Sequence, residues 1–185
     1  LNVDNADAGP ATLVLACPAF GGDLKSITAG RYSRVAFARD GDASVTNYSG
    51  DRQDFTSRQF SQEFQLSHEL MDGKLTTLGG LYLFHERARQ KTTLVTAWGL
   101  YPRLIAAGFD PAMAAGLDFN IAFDQVQETD NIALFGNATY RLTDRLSVDV
   151  GARYTHEKKE FDQSAMRIFA QVPLIPGKGR YQLNE

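Results

Sequence analysis

From Leu146 onward the chain alternates strictly. Leu146, Val148, Val150, Ala152 and Tyr154 are apolar, while Ser147, Asp149, Gly151, Arg153 and Thr155 are polar or small. A period of two turns successive side chains to opposite faces, so this run predicts a strand with one apolar and one polar face. Just upstream, Ile132, Leu134, Gly136, Ala138, Tyr140 and Leu142 share one face, with Asn137, Thr139 and Arg141 on the other. Thr143-Asp144-Arg145 joins the two runs and is short enough for a tight hairpin turn.

The same pattern recurs along the chain. Between Arg58 and Ser67, Phe60, Phe64 and Leu66 face one way, and Gln59, Ser61, Glu63 and Gln65 the other. Met71-Asp72-Gly73-Lys74 reads as a turn, with Asp-Gly as its signal. From Leu75 to Arg89 the period blurs: Leu78, Leu81, Tyr82, Leu83 and Phe84 are apolar on both faces and leave the orientation open. Leu24 to Arg39 carries Ile27, Ala29, Tyr32, Val35 and Phe37, with a face change near Arg31 that a β-bulge would reconcile. Strands are therefore predicted near 24–39, 58–70, 75–89, 131–142 and 146–162. Residues 1–23 form a poorly patterned lead-in, in which Thr12 to Ala16 suits a further short strand.

The connections alternate in length. Short turns fall at 71–74 and 143–145, while long segments fall at 40–57 and 90–130, with a further one starting at 163 and running to 185. A connection of about forty residues counts against strands in a soluble domain. In an outer-membrane barrel it is expected, since periplasmic turns are short and extracellular loops long. The fold class expected is thus all-β: an antiparallel transmembrane β-barrel segment, about five to six strands of a larger barrel, forming an open curved sheet if isolated. Inside the 90–130 loop, Asp110-Pro111 through Gly116 predicts a short helix, with Asp110 as cap, Pro111 at the first turn and Gly116 at the end.

Bulk properties change this picture little. The chain has 185 residues, 43% hydrophobic, with a formal net charge of -3. No basic patch dominates, which argues against nucleic acid as a partner. Mean hydropathy is -0.28, and no apolar run is long enough for a transmembrane helix, but a barrel needs only alternate residues to be apolar. Cys17 is the single cysteine, so no internal disulfide forms. The N-terminal Leu-Asn-Val-Asp-Asn lacks an initiating Met, a basic segment and an apolar segment. An excerpt from a longer chain is the expectation.

Candidate chemistry is sparse. His68, His85 and His156 are the only histidines, and none is paired at metal-ligand spacing, so neither a metal site nor a cofactor is expected. His85-Glu86 and His156-Glu157 fall where a strand leaves its apolar band, either as groups meeting a ligand or as a solvated rim. Glu63, Asp149, Arg141 and Arg153 lie on repeating polar faces; no nucleophile–base–orienter set accompanies them, so an enzyme is not expected. Tyr140 and Tyr154 suit an aromatic girdle at a membrane interface. In the 90–130 loop, Trp98, Tyr101 and Arg103 fall close together, and aromatics with Arg are common binding anchors, so these are the candidate ligand-binding residues.

Four pieces of the sequence, in order, carry a resemblance: Leu24-Lys-Ser-Ile-Thr28 with the basic, aromatic strand after it, Gln59-Phe-Ser-Gln-Glu-Phe-Gln-Leu-Ser67, Gly80-Leu-Tyr-Leu-Phe-His-Glu86, and Ala133 through Lys159. Together, over roughly residues 23 to 161, they resemble the barrel portion of TonB-dependent outer-membrane receptors. The resemblance implies a barrel filled by an N-terminal plug domain, located in the bacterial cell outer membrane. It implies outer-membrane lipid, the plug and TonB as partners, and energised uptake of a scarce nutrient such as an iron–siderophore complex. No plug domain or TonB box is recognised in these residues, so the expectation is an internal slice of such a receptor. The alternatives are a passive porin-type channel, or a soluble all-β ligand-binding domain that hides its apolar stripe against a second sheet or a ligand.

Overall fold

The computed structural model describes residues 3–42 and 48–184, with the side chains of 3–4 and 176–184 outside the description. Seven strands follow one another: β1 (Val3–Ala19), β2 (Gly22–Asp40), β3 (Ser49–Leu70), β4 (Leu75–Thr96), β5 (Ile121–Thr143), β6 (Leu146–Arg167) and β7 (Pro173–Asn184). Each pairs antiparallel with the next, in the order β1-β2-β3-β4-β5-β6-β7, so the sheet is a single meander that does not close. Two short helices, α1 (Leu100–Ala106) and α2 (Pro111–Gly116), interrupt the β4–β5 connection.

The turns sort by end. Phe20-Gly21, Met71–Lys74 and Asp144-Arg145 close hairpins at one end, and the β2–β3, β4–β5 and β6–β7 connections all lie at the other. Left-handed backbone at Phe20, Gly21, Met71, Asp72 and Gly73 makes the first two turns tight. The Asp110 cap is present as the sequence implies: its carboxylate accepts from the N–H groups of Ala112 and Met113 and starts α2.

The register assigns the faces, because residues paired across an antiparallel ladder point the same way. Val150 pairs with Ala138, Tyr154 with Leu134, Leu134 with Leu81, and Leu81 with Phe64, which makes one continuous apolar face. On that face Val150 is 65% exposed and Leu134 63%. The opposite face joins Arg153 to Phe135, Asp149 to Thr139 and Glu63 to Tyr82. The buried residues of the strands, Ser57, Thr129, Ala133 and Ala165, all belong to this second face. In a single layer, burial comes from curvature, so the polar face is the inner one.

The register also resolves β4. Leu75, Gly79, Leu81 and Leu83 point outward, and Leu78, Gly80, Tyr82 and Phe84 inward. The inward side is apolar because an aromatic cluster sits there. Gly80 opposes Phe135, whose ring covers the position a Cβ would take, at 2.3 Å from it. Tyr82 and Phe84 stack at 6.4 Å beside this pair.

Several expectations are corrected. The sheet has seven strands rather than about five to six. The strand suggested at Thr12–Ala16 in the 1–23 lead-in is much longer than expected: β1 runs from Val3, paired with Ala38, to Ala19, paired with Gly22. Its alternation is faint because outward Gly9 and Ala11 are small while inward Val14 and Ala16 are apolar, and its two prolines, Pro10 and Pro18, are tolerated on an edge strand. The bulge expected near Arg31 is absent, since the ladder is unbroken through Arg31 on both sides. The sheet's irregularities fall at Arg141/Thr143 and at Gln163–Met166.

The long loops at 40–57 and 90–130 shrink to the stretches 41–48 and 97–120, of which 43–47 lie outside the described residues. The segment from 163 is strand to Arg167, then turns and returns as β7. In each case the ladder continues past the apolar band. There the outward positions become charged, the alternation of apolar and polar disappears, and backbone pairing carries on without it.

Candidate functional site

Three surfaces carry the chemistry: the outer face, the inner face, and the connections at the long-loop end.

On the outer face each strand from β1 to β6 has an uncharged stretch ending at a sharp border. On β5 it runs from Ile132 to Leu142 and on β6 from Leu146 to Tyr154, eleven and nine residues. That is the length a tilted strand needs to cross a hydrocarbon core. The last uncharged outward residues are Tyr32 on β2, Phe60 on β3, Leu83 on β4, Ile132 on β5 and Tyr154 on β6. This border runs diagonally to the ladder. Followed straight across from Tyr32 through Arg58, Arg87 and Glu128, the row reaches β6 at Glu160, six residues above Tyr154. Six residues are about 20 Å of strand, against about 19 Å for four inter-strand steps, so the border corresponds to a strand tilt of about 45°. Polar residues inside the band satisfy one another: Thr28 Oγ1 donates to Gln62 Oε1 at 2.6 Å, and Gln62 Nε2 to Ser26 Oγ at 2.9 Å. Tyr154 and Tyr140 both point outward, near opposite borders of the band.

Above the border the outer face is charged and cross-paired. His85 Nδ1 lies 2.7 Å from Asp130 Oδ1, Arg87 pairs with Glu128 at 3.3 Å, and Arg89 holds Asp124 through two nitrogens at 2.8 and 2.5 Å. His156 occupies the corresponding rim position on β6. Among the described residues no three His, Cys, Asp or Glu side chains converge as metal ligands would.

The inner face carries an ordered polar lining. Glu86 accepts from Ser57 Oγ at 2.7 Å and Gln59 Nε2 at 2.8 Å. Asp149 accepts from Asn137 Nδ2 and Thr139 Oγ1, both at 2.6 Å. Glu157 accepts from Asn131 Nδ2 at 3.2 Å and pairs with Lys159 at 2.5 Å. The Arg153 guanidinium lies over both Tyr82 and Phe135, at 5.6 and 5.8 Å from the ring centroids. Glu63, Asp149 and Arg153 therefore sit inward, and Phe64, Leu66, Val148 and Val150 outward, as their alternation implies.

At the long-loop end, Trp98, Tyr101 and Arg103 do not form one cluster. Trp98 precedes α1 and meets Phe169 of the β6–β7 connection edge-on at 4.8 Å. Tyr101 and Arg103 both lie on α1, two residues apart, a spacing that sends helical side chains to different sides. Trp98 and Arg103 are exposed and Tyr101 is partly so.

The residues that organise this end are Asp118 and Asn120, which the sequence reading did not single out. Both are fully or almost fully buried. Asp118 Oδ1 accepts from the Asn120 N–H at 3.1 Å and from Asn120 Nδ2 at 3.0 Å. Its Oδ2 accepts from the N–H groups of Phe169 and Ala170 at 2.8 and 3.0 Å. Arg167 Nη1 donates to the carbonyls of Gly116 and Asp118, and Asn120 accepts from the Thr96 N–H. The β4–β5 and β6–β7 connections are thus tied through one carboxylate. Burial opposes its ionisation, but the N–H groups of Ala170, Asn120 and Phe169 and the Asn120 side chain outweigh that and hold its carboxyl below the usual range. The sequence signal was Asp118-Phe-Asn120, two turn-forming residues two apart after a helix end.

The family model described as TonB dependent receptor-like, beta-barrel, matches residues 14–170. No curated protein matches the sequence. Among solved structures, the ferric yersiniabactin uptake receptor FyuA from Yersinia pestis is similar over 98% of this chain, with a TM-score of 0.72 at 13% identity. The chain spans 24% of that receptor's length, so the likeness is one of fold, between a wall segment and part of a barrel. The match over most of its length shows that this chain belongs to the TonB-dependent receptor β-barrel family.

Proposed function

We propose that this chain is a wall segment of a TonB-dependent receptor in the bacterial outer membrane, one that takes up a scarce nutrient such as an iron–siderophore complex. The outer face meets lipid, the inner face meets the plug domain of the parent receptor, and the short-turn end faces the periplasm, where TonB delivers energy. The long-loop end, with Trp98, Tyr101 and Arg103, first meets the nutrient; aromatic and Arg side chains held on a tied loop make suitable anchors.

The observation that carries this reading is the diagonal border of the outer apolar face. A soluble sheet has no reason to keep an uncharged band of nine to eleven residues per strand at constant height across tilted strands. A bilayer does. The iron–siderophore choice rests on the likeness to the ferric yersiniabactin uptake receptor.

In the parent receptor, Val148→Lys is expected to impair membrane insertion far more than Asp149→Lys. A cation facing lipid near the midplane costs about 2–4 kcal/mol, while a lumenal one is tolerated. Heat-modifiable electrophoretic mobility of outer-membrane fractions reads the folded, inserted amount. Equal loss for both variants refutes the membrane reading. Normal insertion with uptake that persists when TonB is absent would favour a passive channel.

A further inference from the structure

The inner face changes character partway up. Three successive rows of its ladder carry no charged residue from β2 to β6: the row from Ser33 to Phe161, the row from Val35 to Gln163, and the row from Phe37 to Ala165. The row below restores charge with Arg31, Glu86 and Lys159. In the row above, Arg39 pairs with Asp51 at 3.1 Å and Arg167 donates to loop carbonyls. On the outer face at the same height stand Arg89, Lys91 and Asp124, so the lack of charge belongs to the lumen side and not to this level of the wall.

Side-chain amides and phenyl rings take the place of charge. Gln90, Gln125 and Gln163 oppose one another directly across β4, β5 and β6, with Phe55 beside Gln90 on β3. Phe123 stands one inward position above Gln125, and Phe161 one below Gln163. All six are half-buried. Gln90 Nε2 donates to Gln53 Oε1 at 3.3 Å and to Thr92 Oγ1 at 3.2 Å, whereas the side-chain amides of Gln125 and Gln163 form no hydrogen bond among the described residues. Half-buried amides without protein partners are groups that a ligand can satisfy.

The chemistry of the wall selects that ligand. An anion finds no cation within these rows, and burying one there is costly. A neutral ligand rich in hydroxyls fits on two counts. Each amide offers a donor and an acceptor side by side, which suits two neighbouring hydroxyls. Each phenyl ring can cover the C–H face of a sugar ring and remove it from water. Neighbouring amides of the row stand about 4.8 Å apart, close to the length of one hexose in a linear chain. An extended peptide advances about 3.4 Å per residue and runs out of step with such a row.

We propose that this wall is a saccharide subsite, on which a neutral linear oligosaccharide lies along Gln90, Gln125 and Gln163 with its C–H faces against Phe55, Phe123 and Phe161. The inference rests on the receptor reading above and specifies the part of the nutrient that meets the wall: the saccharide is the nutrient itself or a glycosyl group that the nutrient carries.

The test uses the parent receptor, purified in a detergent without a sugar headgroup and applied to an array of neutral and uronate-containing oligosaccharides. Neutral members are expected to be retained, and uronate-containing ones to bind roughly tenfold more weakly. Gln125→Ala combined with Gln163→Ala should weaken retention roughly tenfold through the lost hydrogen bonds. Folding is checked by heat-modifiable mobility; if the double variant does not fold, each single variant must show part of the loss. TonB-dependent uptake of the retained glycan marks it as the nutrient itself, and retention without uptake marks a glycosyl group on the nutrient. Retention of no neutral member, equal retention of the acidic ones, or unchanged retention by the folded glutamine variants each overturns the proposal. Glycan retention beside uptake that no longer needs TonB sinks the receptor reading and leaves the subsite standing; TonB-dependent uptake with no glycan retained does the reverse.

Discussion

Asp118 shows how one side chain can order two loops. Both carboxylate oxygens take two donors each, and the side chain is fully enclosed. Because the folded state holds its pKa below the ordinary value, the unfolded loops bind the proton more readily. The stabilisation is therefore complete above the ordinary carboxylate range and is lost as pH falls below it. Amide hydrogen exchange at Asn120, Phe169 and Ala170 should accelerate as pH falls through that window, after correction for the intrinsic exchange rate, and stay flat above it. Asp118→Asn turns two acceptors into one and sets an NH2 group against N–H donors, a cost of about 2 kcal/mol to the loop assembly. Protection in the strand cores should be untouched, and matching loss there would mean that Asp118 supports the sheet rather than the loops.

A second residue-scale prediction concerns Gly80. A Cβ at this position meets the Phe135 ring at 2.3 Å, so Gly80→Val must displace the ring and with it the Arg153 guanidinium stacked on Phe135 and Tyr82. Overpacking of this kind costs about 1–3 kcal/mol. Urea titration of the refolded parent barrel should show it as a lower midpoint. Gly79, which has open space where its Cβ would be, should accept Ala with little change.

At the scale of the element, the β5–β6 hairpin was legible because the outward positions of its band are uncharged throughout, from Ile132 to Leu142 and from Leu146 to Tyr154, while most inward ones are polar. Only Ala133 and Phe135, apolar on the inner face, depart from the period of two. The strand ends were not legible, for a physical reason. Period-two patterning records a difference between two environments, and beyond the band both faces meet water or charge. Residues 121–130 of β5, with Asp124, Glu128 and Asp130 outward and Gln127 and Thr129 inward, read as loop although their ladder with β4 is complete. Their backbone hydrogen bonds and cross-strand pairs such as Arg89–Asp124 hold them as strand. β1 was hidden by the opposite fault, since from Gly9 to Ala19 every residue but Thr12 is small or apolar on either face. The loop candidates fared differently: proximity in sequence grouped Trp98, Tyr101 and Arg103, and helical geometry separates them.

For the whole molecule, seven neighbouring strands form an open meander whose two outer strands, β1 and β7, have no further partner among the described residues. Unpaired ladder edges are templates for pairing with another chain, and here they border a broad apolar face. The 185-residue chain by itself, in buffer without detergent, is expected to associate. Sedimentation velocity should show no stable monomer, and a monodisperse monomer would speak for the soluble reading instead. In a detergent micelle the apolar face is covered, and association should be confined to the edges.

The sequence by itself determined what each residue implies about its own side of the wall. The period of two assigned lipid-type and lumen-type faces to Val148 and Asp149 because it is a local property of extended backbone, independent of any partner. It also determined family membership, through ordered local pieces. Tertiary structure decided the rest. How far each strand runs, which way β4 faces, how the apolar border crosses the ladder, and which distant residues meet at Asp118 all depend on register between strands. Register is a relation between separate parts of the chain, set by many backbone bonds and cross-strand pairs at once. No single stretch of sequence contains it.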